Sequence, residues 1–115
     1  MNNTLLITPS GAPRARSIPV PFDGEPGPNN AITDVDGVLV GYTTLIEGEG
    51  PLVAGKGPVR TGVTAILPRP HAQLDQPAFA GYHSFNGNGE LSGMHWVEEA
   101  GELLWPITLL SLIHI

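Results

Sequence analysis

The sequence has no cysteine, which excludes a disulfide framework, a thiolate nucleophile and a Cys-ligated zinc. It is also poor in cations. Five Lys and Arg stand against eleven Asp and Glu in 115 residues, a formal net charge of -6. Nucleic-acid affinity rests on clustered Lys and Arg, and five scattered cations argue against such a partner. Long apolar runs are missing too. The run Leu5-Leu-Ile7 is cut by Thr8 and Pro9, short of the roughly 7 to 15 apolar residues that a signal peptide needs. No window approaches the roughly 20 apolar residues that span a bilayer. The expectation is a cytoplasmic chain without a membrane partner.

What is abundant is glycine and proline, 15 and 12 residues, beside an apolar fraction of 41%. That apolar share suits a chain that buries a core. Between Thr8 and Asn30 stand Pro9, Pro13, Pro19, Pro21, Pro26 and Pro28, a composition that resists both helix and central strand. Residues 1–17 read as a flexible leader, followed by an extended arm in which Ile18, Val20 and Phe22 are apolar enough to dock. Val38 to Ile46, β-branched and bounded by Gly37 and a Glu-Gly-Glu-Gly-Pro turn, predicts a strand. Thr61 to Leu67, closed by Pro68, predicts a second. Pro77 to Phe85 is a weaker candidate, and Ile107 onward starts another strand.

The spacing of Trp96, Val97, Ala100, Leu103 and Leu104 predicts one helix at about 92–104, capped by Ser92 or Gly93 and ended by Trp105-Pro106. Before it lies Gly87-Asn-Gly-Glu-Leu-Ser-Gly93. Glycines at a helix start present backbone N–H groups to anions and carbonyl oxygens. The spacing Gly87-x-Gly89-x-x-x-Gly93 is one residue too long for the dinucleotide fingerprint. Glu90, Asn88 and Gly89 are the candidate substrate-binding residues, the Glu90 carboxylate being suited to a ligand ammonium; a solvated surface glutamate is the bland alternative. His95 and Glu99 share a helical face, yet zinc needs three or four ligands, so no metal is expected. Asp34-Val-Asp36-Gly37 resembles the start of a calcium loop without its later ligands and reads better as turn chemistry. Ser84, Ser92 and Ser111 lie in no nucleophile elbow.

Four segments in order carry a resemblance: Asn30-Ala-Ile-Thr-Asp-Val-Asp-Gly-Val-Leu-Val-Gly-Tyr-Thr-Thr44, Gly57-Pro-Val-Arg-Thr-Gly-Val-Thr-Ala-Ile-Leu-Pro68, Gly81-Tyr-His-Ser-Phe-Asn-Gly-Asn-Gly-Glu90, and Gly93-Met-His-Trp-Val-Glu-Glu-Ala-Gly101 with Pro106-Ile-Thr-Leu109. The chain resembles the amino-terminal part of the DmpA-like aminopeptidase/D-esterase family, which includes β-peptidyl aminopeptidases. The resemblance implies an α/β (α+β) chain, an incomplete part of an α-β-β-α sandwich, with residues 18–109 as the amino-terminal part of a peptidase domain. It also implies a precursor that cleaves itself to free an N-terminal serine nucleophile, acting without a cofactor on peptides, amides or esters with a free amino group.

The same resemblance places Glu90 against the substrate ammonium and implies a homo-oligomeric parent. No catalytic residue is assigned within these 115 residues, and the chain alone is expected to be inactive. Tyr42 stands where the family often has histidine. Residues 110–115 depart from the family pattern and read as a foreign or frameshifted tail. The competing reading is a non-catalytic module that binds a small ligand or peptide terminus in the Gly87–Gly93 loop.

Overall fold

A computed structural model describes residues 5–111. Residues 112–115 of the suspected tail and 1–4 of the leader lie outside the described residues. The chain divides into two compact units, Met1–Val38 and Leu39–Ile115.

In the first unit, prolines and glycines leave few ladder hydrogen bonds, and side chains supply what the backbone lacks. The Thr8 N–H donates to the Ala12 carbonyl at 2.9 Å, and the Thr8 hydroxyl accepts from the Ala12 N–H at 3.0 Å. Together with the Ile7↔Pro13 bridge this closes a turn. A 3-10 turn follows at Ala15–Ser17. The Arg14 guanidinium donates to the carbonyls of Asn29, at 2.7 Å, and Asn30. Arg16 donates to Asn30 Oδ1 at 3.2 Å and stacks over the Phe22 ring at 5.2 Å.

The Asp-Val-Asp-Gly segment is turn chemistry, as the sequence suggested. Asp34 ends the 3-10 turn Ile32–Asp34. Its carboxylate accepts from the Ala31 N–H at 3.1 Å, the Asn29 N–H at 3.0 Å and the Asn29 side-chain amide at 2.8 Å. This is half a capping box, since Ala31 has no side-chain oxygen to return the bond. The Ala31 N–H foremost, with the Asn29 donors, holds the Asp34 carboxyl below its ordinary value.

The second unit is built on β1 (Leu39–Glu47), β2 (Val59–Leu67) and β5 (Ile107–Leu110), antiparallel in the order β1-β2-β5. Both long strands lie within two residues of the sequence expectation. Val40 pairs with Ile66, which pairs in turn with Ile107. Opposed residues share a face, so one face carries Leu39, Leu45, Val63, Leu67 and Leu110. The other carries Val40, Tyr42, Ile46, Ile66 and Leu109. A strand apolar on both faces is the pattern of a sheet covered on both sides. Yet every residue of β1 is exposed, Tyr42 by 77% and Ile46 by 65%, and no described residue is fully buried.

The helix is shorter than its apolar spacing predicts. Helix α1 runs only Met94–Ala100, because Gly101 turns left-handed (φ 67°) and donates its N–H back to the Val97 carbonyl at 2.8 Å, a glycine stop. Leu103 and Leu104 therefore continue the spacing but not the helix. At the other end Gly93 (φ 83°) occupies the cap position without a side-chain bond, and Ser92 does not cap. The third candidate strand shrinks to β3 (Ala78–Phe79), paired with β4 (Glu102–Leu103). Among the described residues no helix is long and apolar enough to cross a membrane.

Candidate functional site

The β3–β4 ladder ties together the two ends of one long excursion. Ala78 pairs with Leu103 and Phe79 with Glu102, and the Ala80 N–H donates to the Gly101 carbonyl at 2.9 Å. Everything from Gly81 to Ala100, the glycine loop and α1, projects from that short clamp. Upstream, Arg69 donates to the Pro77 carbonyl at 3.2 Å, holding the connection from β2.

Within the excursion, residues 82–95 line an open concavity of about 700 Å³. Asn88, Gly89 and Glu90, the three substrate-binding candidates, all lie on it and all are exposed. Glu90 makes no hydrogen bond or ion pair with any described residue, so its carboxylate is open to a cation from solution. Tyr82, Phe85 and His95 line the same space and add aromatic surface beside that carboxylate.

Asn86 also shapes this loop, outside the candidates that the sequence offers. Its side-chain Oδ1 accepts the Asn88 N–H at 3.0 Å, an Asx-type turn that sets the path of the loop before Gly87 (φ 68°). An Asn followed by Gly was the available signal. The helix that follows the loop is short. Helix α1 has seven residues, and the Met94 N–H already donates to the Leu91 carbonyl at 3.3 Å.

Ser84 and Ser92 line this concavity, and neither bonds to a histidine among the described residues. Ser111 borders a second concavity, about 460 Å³, with Thr44, Ile46, Arg60, Thr61 and Gly62. His95 and Glu99 gain no third ligand, since no group of three or more metal-ligating side chains comes together among the described residues.

Known proteins are similar to this chain in sequence and in fold. Residues 30–113 match the family described as Peptidase family S58, and the chain belongs to that family. It is 56% identical over 97 residues to the beta-peptidyl aminopeptidase BapA of Sphingosinicella microcystinivorans, covering 84% of this chain and 24% of the relative. It is 58% identical over 97 residues to that of Sphingosinicella xenopeptidilytica, with the same coverage of each chain. The chain thus spans about a quarter of the length of the curated relatives it matches.

Two solved structures superpose on it. One is an L-aminopeptidase D-Ala-esterase/amidase from Ochrobactrum anthropi, described as a prototype of the serine aminopeptidases with a variant of the Ntn hydrolase fold. It matches with a TM-score of 0.69 and 53% identity over 87% of this chain and 27% of its own. The other is a Pyrococcus horikoshii protein, with a TM-score of 0.70 and 47% identity over 76% of this chain and 25% of its own. The mixed α/β architecture, mostly strands with one helix, is therefore similar to part of an Ntn hydrolase fold.

Proposed function

We propose that this chain forms the amino-terminal part of a self-processing serine aminopeptidase and contributes one wall of its substrate cleft. The observation that carries the reading is Glu90. It is an exposed carboxylate in a Gly-Asn-Gly-Glu loop, without a partner among the described residues, on a concavity large enough for an aminoacyl group. A carboxylate there pairs with the α- or β-ammonium of a peptide, amide or ester substrate, with Asn88 and the Gly89 backbone beside it. A charge-assisted bond of this kind selects a free amino terminus and fixes the scissile carbonyl at a set distance from it.

The nucleophile is supplied by polypeptide outside these 115 residues. The apolar residues that the β1-β2-β5 sheet leaves exposed on both faces support this. In this reading those faces are covered by the rest of the enzyme, a cytoplasmic homo-oligomer.

The test is an assay of alanyl and β-alanyl p-nitroanilides with the 115-residue chain alone and within the longer polypeptide. Turnover by the longer polypeptide and none by the chain alone supports the reading. Turnover by the chain alone refutes it.

A further inference from the structure

The glycine loop contains two Asn-Gly pairs in tandem, Asn86-Gly87 and Asn88-Gly89, and all four residues are exposed. The structure distinguishes them. Asn86 Oδ1 accepts the Asn88 N–H at 3.0 Å, whereas the Asn88 side chain has no partner among the described residues. At both pairs the glycine N–H makes no hydrogen bond among the described residues and the space where a glycine Cβ would stand is empty within 4 Å, so the bond to Asn86 Oδ1 is what sets the first pair apart.

We propose that Asn86 is a site of spontaneous succinimide formation and deamidation, with the Gly87 peptide nitrogen as nucleophile and the Asn88 N–H as oxyanion donor. The Gly87 nitrogen gives up its proton and attacks Asn86 Cγ, forming a C–N bond. Negative charge builds on Oδ1, where the Asn88 N–H already points, so the donor stabilises the tetrahedral intermediate as an oxyanion hole would. The Cγ–Nδ2 bond then breaks and ammonia leaves with the transferred proton, closing a five-membered imide. Water opens that ring at either carbonyl, leaving aspartate or isoaspartate at position 86. No oxidant, metal or enzyme is required.

Asn29 and Asn30 lack these features. The Asn29 side-chain amide donates to Asp34 at 2.8 Å, and the residue after Asn30 has its nitrogen engaged, since the Ala31 N–H donates to Asp34 at 3.1 Å. The chemistry stands apart from the peptidase reading, but its product would matter there. It adds a second carboxylate to the concavity that holds Glu90, and isoaspartate also lengthens the loop backbone.

The experiment holds the purified chain at mildly alkaline pH and follows each asparagine by peptide mass spectrometry and isoaspartyl-methyltransferase labelling. The acid is expected to accumulate several-fold faster at Asn86 than at Asn88, Asn29 or Asn30. Asn88→Pro removes the donor N–H and leaves Asn86-Gly87 intact, and is expected to slow Asn86 several-fold. Equal rates at Asn86 and Asn88, or an Asn86 rate unchanged in Asn88→Pro, would overturn the proposal.

Discussion

A Cβ added to Gly62 would stand 2.8 Å from the Thr43 carbonyl oxygen across the β1–β2 ladder. The neighbour is backbone, held by its own ladder, and cannot swing aside as a side chain would. Gly62→Ala therefore forces the two longest strands apart at mid-register. A loss of about 1 to 3 kcal/mol is expected, as for overpacking elsewhere. Chemical denaturation followed by circular dichroism reads it, and an unchanged midpoint would show that the strands separate freely.

Arg60 closes the far end of the same hairpin. Its guanidinium donates to the carbonyls of Glu47 at 3.0 Å, Gly48 at 2.8 Å and Val59 at 2.6 Å. Arg60→Ala leaves these acceptors to water, and because the site is exposed the expected loss is modest, about 1 kcal/mol. Arg60→Lys should recover little of it, since one ammonium cannot reproduce the planar fork. Amide hydrogen exchange across β1 and β2 would separate the two outcomes.

Asp34 sets a pH dependence for the first unit. Its folded carboxyl is held below the ordinary value, chiefly by the Ala31 N–H. The unfolded carboxyl therefore takes up a proton first as pH falls. The turn's stabilisation is complete above the ordinary carboxylate value and is lost as pH drops through it toward the lower folded value. A carboxyl-carbon NMR titration should give a depressed midpoint for Asp34. Gly27→Ala should raise it, because the new Cβ would lie 2.7 Å from Asp34 Cγ and displace the carboxylate from its donors. A midpoint unmoved by that substitution would contradict the arrangement.

The strands were legible because β-branched runs and turn residues agree locally. Val38 to Ile46 and Thr61 to Leu67 fall on β1 and β2 with small boundary errors. The helix was overextended for an equally local reason. Leu103 and Leu104 keep the 3.6-residue spacing, while Gly101, one residue that tolerates a left-handed turn, ends the helix. Periodicity outweighed the stop signal.

At the candidate site the glycines and Glu90 could be read as a loop from the chain alone. Its closure by Ala78↔Leu103 and Phe79↔Glu102 could not, because a two-residue ladder between distant segments leaves no periodic trace. The Asp34 turn was visible in Asp-Val-Asp-Gly, but its donors Asn29 and Ala31 precede that motif.

The most direct test of the central claim compares a free and an N-acetylated alanyl p-nitroanilide as substrates of the longer enzyme, with Glu90 intact and as Glu90→Gln. Glu90→Gln keeps the shape of the side chain and removes its charge. With Glu90 the free amine should be strongly preferred. Glu90→Gln should lose about 2 to 3 kcal/mol of transition-state binding for the free amine, roughly 30- to 150-fold in kcat/KM, and little for the acetylated substrate. An undiminished preference for the free amine in Glu90→Gln would show that another group holds the ammonium and would remove this loop from substrate recognition.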